Sequence, residues 1–467
     1  MTGYSYAKRC QSAATENNLY SATLLTNSKE KAKYEELTGF QLNTFDEIKQ
    51  ITKKQGIDPT NIYFMNSQDS DNPYVYYDFP ILIYIMDMSE LMLDFLDISK
   101  RIELQSERFQ RFINENDYEA LFNNVDEKLQ ISALNKWYDE IPENEQYKWF
   151  RKVYTTQNYS HLFIEPRIIQ DAINKRPKDV ITAMQEKLNS LTDTDEIVVY
   201  RGMLSQSTPA EKSYSWTCEL AVAARFAARL GQIGEIVKGS IKKNDVLDYI
   251  PYNKEEEILV LPGTVFDIKV VTTQVHPEKQ LEHLANNFLL TTYHKHFLEL
   301  DRYLFDKPDS IHGVSHSRRV MLIAQSIGLE LELDDNEFRV LELAAAYHDI
   351  GRKHDEEDDS HGFESWNKIK NVGLLEEFME HHELYDNDME LLRIIIEYHP
   401  LKDNELFKEI NKSAILDKVR AKLVATIFKD SDALDRMRIG DLDTTYLRLD
   451  VAHNFVLFTS HINRQIK

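Results

Sequence analysis

Three histidines in the last third of this chain each fall in line with an apolar helical stripe, and that placement narrows what the region can fold into. His316 shares a face with Val320, Ile323 and Ile327 at i, i+4, i+7 and i+11. His348 closes a stripe after Leu341, Ala344 and Ala345, and His399 closes one after Leu392, Ile395 and Ile396. One such histidine is ordinarily a hydrogen-bonded core residue. Three of them, one followed directly by Asp349, are a different matter. A carboxylate buried beside imidazoles is costly unless a cation neutralises it, so a shared metal ion explains why they converge. A further acid comes from Phe428-Lys429-Asp430-Ser431-Asp432-Ala433-Leu434-Asp435. Asp430 lies on the stripe of Leu423, Ile427 and Leu434, whereas Asp432 follows Phe428 one turn later. Helix geometry favours Asp430 as the inward group, and Asp435 reads as part of a solvated acidic turn.

The remaining composition bounds the rest. At 467 residues the chain exceeds one ordinary core, and about two or three domains are expected. Its net charge of -23, from 55 basic and 78 acidic side chains, argues against non-specific binding of nucleic acid or anionic membrane. Cys10 and Cys218 are too few and too far apart for a disulfide framework or a thiolate zinc cluster. Met1-Thr2-Gly3-Tyr4-Ser5-Tyr6 shows no signal peptide. The most apolar run, Pro80 to Leu96, is broken by Asp87, Glu90 and Asp94 and reads as a buried strand passing into a helix. The expectation is a cytoplasmic protein without a membrane partner.

Residues 1–110 carry no legible motif. Residues from about 111 to 193 look helical, with Lys178 to Leu188 following Pro177 as a helix start does. Glu196 to Tyr200, Ile258 to Leu261 and Phe266 to Val271 are β-branched or apolar runs that predict short strands. From about 285 helical periodicity returns. The fold class expected is multidomain α+β, with a mixed α/β middle and an all-α C-terminal part.

His316-Ser317-Arg318-Arg319-Val320, Tyr347-His348-Asp349-Ile350-Gly351-Arg352 and Asp430-Ser431-Asp432-Ala433-Leu434-Asp435 together resemble the HD superfamily of metal-dependent phosphohydrolases, over roughly 290–467. The resemblance implies that the first His, the His-Asp pair and the last Asp hold one divalent metal. By that pattern the last ligand is Asp432, against the stripe argument, and both stay open. His361 and His399 sit where some members carry ligands to a second metal, with His381 and His382 as substitutes or a surface pair. Mixed imidazole and carboxylate ligation suits manganese, iron, nickel, zinc or magnesium. Arg318, Arg352 and Lys353 are candidate contacts to a phosphate, or ordinary surface cations.

The middle has three informative segments. Val199-Tyr200-Arg201-Gly202 ends a strand with a guanidinium able to grip a pyrophosphate. Ser213 to Thr217 alternates like a strand and runs into a helix from Leu220 to Leu230. Glu255-Glu256-Glu257 before Ile258-Leu259-Val260-Leu261-Pro262-Gly263 places two glutamates on one face of an extended segment, a pairing suited to cleaving a glycosidic bond. In this order they resemble the Arg-Ser-Glu class of ADP-ribosyltransferases, over about 111–275. The resemblance implies that Arg201 binds the phosphates of NAD beside Gly202 and Trp216. Ser215 or Thr217 would brace Glu257, which stabilises the ribosyl cation, and Glu255 would position the acceptor. The usual Ser-Thr-Ser is here Ser215-Trp216-Thr217.

The expected organisation is an unassigned region at 1–110, an ADP-ribosyltransferase-like domain at 111–277 and an HD phosphohydrolase-like domain at 285–467. The expected activity is bifunctional: NAD-dependent mono-ADP-ribosyl transfer, to protein arginine before nucleic acid or a small molecule, with metal-dependent hydrolysis of a small phosphorylated substrate. The alternatives are an NAD glycohydrolase serving as a toxin or defence enzyme, delivered into a host or competitor cell, and a degenerate nucleotide-binding scaffold.

Overall fold

A computed structural model describes residues 19–21, 31–32, 35–36, 39, 41–65, 73–156, 163–229, 231–287, 300–381, 384 and 386–466. The opening hexapeptide, Cys10, Leu230 and His382 lie outside them. The chain divides into two compact units, Met1–Leu191 and Thr192–Lys467.

The first unit joins a four-stranded antiparallel sheet to a run of helices. Its elements are β1 (Leu19–Ser21), α1 (Phe45–Gln55), β2 (Ile62–Met65), β3 (Tyr74–Asp78), β4 (Ile81–Ile85), α2 (Glu90–Leu96), α3 (Ile98–Asn114), α4 (Tyr118–Asn124), α5 (Gln130–Trp137), α6 (Glu143–Thr156), α7 (Pro166–Asn174) and α8 (Lys178–Leu191). The strands pair in the order β1-β2-β3-β4. Thr44 and Glu47 close a capping box at the start of α1, and Gly56 ends it in the left-handed conformation. Ile81, Ile83 and Ile85 are buried at alternate positions of β4, and the acids of the Pro80–Leu96 run fall after it. The helices are held by large aromatics, such as Phe122 stacked on Trp149 at 4.8 Å between ring centres.

In the second unit the middle and the C-terminal part share one hydrophobic core. A six-stranded antiparallel sheet comes first, from β5 (Glu196–Met203), β6 (Ser215–Thr217), β7 (Glu235–Lys242), β8 (Val246–Ile250), β9 (Glu257–Val260) and β10 (Phe266–Val270), in the order β10-β7-β5-β6-β9-β8. One helix, α9 (Leu220–Ala227), interrupts it. Then follow α10 (Pro277–Asn286), α11 (Val314–Glu330), α12 (Asp335–Tyr347), α13 (His361–Asn371), α14 (Leu374–His381), α15 (Asp386–Tyr398), α16 (Asp403–Lys412), α17 (Lys418–Asp435) and α18 (Val456–Gln465). The expected strands and the all-helical C-terminal part are therefore present. Ala223, Ala224 and Ala227 of α9 belong to the same core cluster as Val320, Leu341 and Val424 of the later helices. Small side chains let α9 lie so close to β5 that a Cβ on Gly202 would sit 1.9 Å from the Ala223 carbonyl oxygen. Gly202 is thus required by packing, whatever else it does.

The compact units cut the chain elsewhere than the segmentation drawn from resemblance. The helices from 118 to 191 belong with the first sheet, not with the strands that follow. Among the described residues no helix is long and apolar enough to cross a membrane.

Candidate metal centre

Five helices deliver the site. α12 is buried on nearly every face, which carries His348, its C-terminal cap, and then Asp349 into the middle of the unit. His316 lies in the first turn of α11, and the stripe behind it, Val320, Ile323 and Ile327, is fully buried. His361 opens α13. Gly351 admits α13 to this position, since a Cβ there would stand 2.2 Å from the Ser365 backbone nitrogen, while its own N–H donates to Ser365 Oγ at 2.9 Å. His399 follows the last residue of α15, and Asp432 and Asp435 lie in the last turn of α17.

The polar atoms meet at Asp349. Its Oδ2 is 3.5 Å from Nε2 of His316, 3.5 Å from Nε2 of His348 and 3.1 Å from Nδ1 of His312. Asp432 Oδ1 stands 3.2 Å from His316 Nε2 and 4.0 Å from His348 Nε2, and those two nitrogens are 3.0 Å apart. On the other side Asp349 Oδ1 is 3.1 Å from His361 Nε2 and 3.7 Å from His399 Nε2, which are 2.8 Å from each other. Among the described residues three sets could hold a cation: His312 with His316 and Asp349; His316 with His348 and Asp432; His348 with Asp349 and His399. Atoms about 2.1 Å from one divalent ion lie about 3.0 Å apart when adjacent and about 4.2 Å apart when opposite in an octahedral shell. The separations of His316 and His348 from each other, from Asp349 and from Asp432 fall within that range. Buried Asp349 Oδ1 carries no well-aligned hydrogen bond, which a second cation beside His361 and His399 would remedy. The residues fit a divalent metal.

The electrostatics agree. Burial pushes His348 down to about 3, and it also lowers His399 and His312, so these rings are neutral. Burial pushes Asp349 towards the neutral acid, but the surrounding imidazoles outweigh it and hold the carboxylate well below its ordinary range. Asp432 is lowered likewise, burial being overcome by His316. Burial and Arg438 oppose a proton on His316, yet its bonds to Asp432 and Asp435 raise it; burial opposes one on His361, and Asp349 raises it. Carboxylates that draw protons onto buried rings mark a site short of positive charge, and a divalent cation supplies it.

Several sequence expectations resolve differently. Asp430 is fully buried, as its stripe requires, but not at this centre. Its oxygens accept from the Arg448 backbone N–H at 3.1 Å, the Arg448 guanidinium at 3.1 Å and the Leu449 N–H at 2.8 Å. Asp432 is the acid brought to the histidines. Asp435 is wholly buried instead of solvated. His312, which sequence reasoning passed over, joins from the turn before α11; its spacing four residues ahead of His316 is the signal that was there. His381 closes α14. Arg352 spends its guanidinium on the His354 and Glu356 carbonyls, at 3.1 and 2.8 Å, and on the His361 ring. Arg318 is half-buried on α11 and Lys353 is exposed.

In the middle sheet, Thr217 pairs with both Tyr200 and Glu257. Strand alternation then puts Ser215, Thr217 and Glu257 on one face, and Arg201 with buried Trp216 on the other. The Arg201 guanidinium nevertheless reaches the Ser215 carbonyl at 2.7 Å. Thr217 Oγ1 donates to the Glu255 carbonyl at 2.8 Å. The Glu255–Glu257 segment is not extended: Lys254 and Glu256 have φ of 57° and 47°, and a turn of 3-10 helix precedes them, so the alternation begins only at Glu257. Burial raises Glu255. The Tyr249 hydroxyl donates to Glu256, a pairing unseen in the sequence.

The model of one family, the HD domain, matches residues 313–437, a span that contains His316, His348, Asp349, His361, His399 and Asp432. It does not reach the middle sheet. No curated protein and no solved structure matches the chain.

Proposed function

We propose that the chain is a metal-dependent phosphohydrolase working at the α11–α12–α17 centre. The observation that carries this reading is that His316 Nε2 and His348 Nε2, 3.0 Å apart, each lie within 3.2 to 4.0 Å of Asp349 Oδ2 and of Asp432 Oδ1. Those four would hold one ion, and Asp349 Oδ1 with His361 and His399 would hold another. A bound divalent ion supplies Lewis acidity and an activated water. The chain itself supplies the rest. Lys307, Ser310, His312 and His354 line a recess beside Asp349 and Arg352, where Lys307 and Arg352 would offer a phosphoryl group donors among the acids Asp306, Asp349 and Asp355, whose charge a bound cation would offset.

The test is direct. Chelator-treated protein should lack phosphatase activity against a panel of nucleotides and simple phosphomonoesters, and Mn²⁺ should restore it. His348→Ala combined with Asp349→Ala should bind no metal. A double variant that retains metal would overturn the assignment, and stoichiometric metal without turnover would favour the scaffold alternative.

A second reading, ADP-ribosyl transfer from NAD by the segment at 111–277 beside hydrolysis by 285–467, is favoured by one observation. Adjacent strands β5, β6 and β9 bring Ser215, Thr217 and Glu257 to one face of the sheet, with Arg201 on the opposite face bonded to the Ser215 carbonyl. Incubation with labelled NAD and lysate separates transfer to protein from transfer to nucleic acid and from simple release of nicotinamide.

A further inference from the structure

The rings of the centre are not all oriented by the same kind of group. Nδ1 of His348 donates to the Ala345 carbonyl at 3.0 Å, and Nδ1 of His399 to the Ile396 carbonyl at 2.8 Å; Nδ1 of His361 meets the Asp358 carbonyl. Each acceptor is a backbone oxygen three residues upstream. His316 is different. Its Nδ1 meets Asp435 Oδ2 at 2.7 Å, an anion in place of an amide. That anion is fully buried and doubly braced. Arg319 gives it two bonds, Nε to Oδ1 at 2.7 Å and Nη2 to Oδ2 at 3.1 Å, and Arg438 Nη1 gives a third at 3.1 Å. The arginines are anchored in turn: Arg319 Nη1 donates to the Ile466 carbonyl at 2.7 Å, and Arg438 Nε to the Ile311 carbonyl at 2.8 Å. Asp435 belongs to none of the groups of residues able to hold a cation.

We propose that Asp435 is a positioning residue that fixes His316 as the Nδ1–H tautomer, aims its Nε2 at the centre and makes that nitrogen a stronger metal donor than its neighbours. The physical reason is that a carboxylate accepting from Nδ1–H pushes electron density across the ring, and outer partners of this kind change metal affinity about 10- to 100-fold. Arg319 and Arg438 keep the carboxylate ionised and stop it from swinging inward to become a ligand itself. A merely structural role, in which the same ion pairs tie α17 to α11, would lower stability and leave affinity in the folded protein untouched. The inference rests on the reading of this cluster as a metal centre.

The test uses the full chain, freed of metal by chelation, with Mn²⁺ alone as the probe. Asp435→Asn keeps the shape and one acceptor but removes the charge. Its tightest Mn²⁺ dissociation constant, measured by calorimetry, should rise about 10- to 100-fold while its circular dichroism stays that of the wild type. Wild-type affinity in this variant would overturn the proposal. Independently of any variant, the ¹⁵N spectrum of the metal-free wild type should show a proton on His316 Nδ1, and finding Nδ1 without one would overturn it as well. If the wild type binds no Mn²⁺ at all, the metal centre itself falls; if it binds and Asp435→Asn binds equally, only the role of Asp435 falls.

Discussion

Asp430 and Asp432 lie two residues apart on one helix, and replacing each with alanine should produce opposite defects. Asp430 is completely buried and gives its oxygens to the Arg448 backbone N–H, the Arg448 guanidinium and the Leu449 N–H. Alanine leaves three donors without their acceptor. At roughly 1 kcal/mol net for each, that is about 3 kcal/mol. In a unit of this size 1 kcal/mol moves the melting temperature by about 2–4 °C, so Asp430→Ala should melt about 6–12 °C lower. Asp432 has a side chain 36% exposed, and its close partners are the His316 and His348 rings. Asp432→Ala should therefore leave the metal-free melting temperature within about 2 °C of the wild type. Metal reverses the ranking. Mn²⁺ at one hundred times its dissociation constant stabilises the folded state by about 2.7 kcal/mol, an upward shift of about 5–11 °C. Wild type and Asp430→Ala should show that shift, and Asp432→Ala should not. Thermal melts with chelator and with Mn²⁺ read both quantities in one plate. A full Mn²⁺ shift in Asp432→Ala, or its loss in a stable Asp430→Ala, would refute the reasoning.

Gly351→Ala should push α13 away, because the added Cβ meets the Ser365 backbone at 2.2 Å; reduced metal stoichiometry, measured by elemental analysis, together with a lower melting temperature is the expected result. Glu257→Gln should abolish nicotinamide release from NAD without unfolding the chain, and unchanged release would remove the transferase reading. At Asp403 burial is outweighed by bonds from Arg448 and Lys429, which hold the carboxyl at about 2. Because the folded value is depressed, its contribution to stability is present above the ordinary value of 3.8 and is lost as pH falls from there through about 2. The melting-temperature difference between wild type and Asp403→Asn should accordingly be largest near neutral pH and shrink below about pH 4.

The amino-acid order by itself determined that His316, His348 and His399 would be buried on helices, because a period of 3.6 residues joins each to an apolar stripe that can only face a core. It determined the strands at 196, 258 and 266 because β-branched and apolar runs of that length favour extended chain. Tertiary structure decided what burial was for. Asp430 and Asp432 differ in sequence only by register on α17, and the stripe correctly marked Asp430 as interior. Its interior partner, however, is Arg448, eighteen residues further on, whereas the acid that meets the rings lies at the open side of the helix. Asp435 looked solvated until α11 and the Ile466 carbonyl brought Arg319 against it. The Glu255–Glu257 pair lost its common face to two left-handed residues that no alternation reveals. Periodicity reports which side of an element leaves water, but which charge neutralises which depends on segments that only folding brings within about 3 Å of each other.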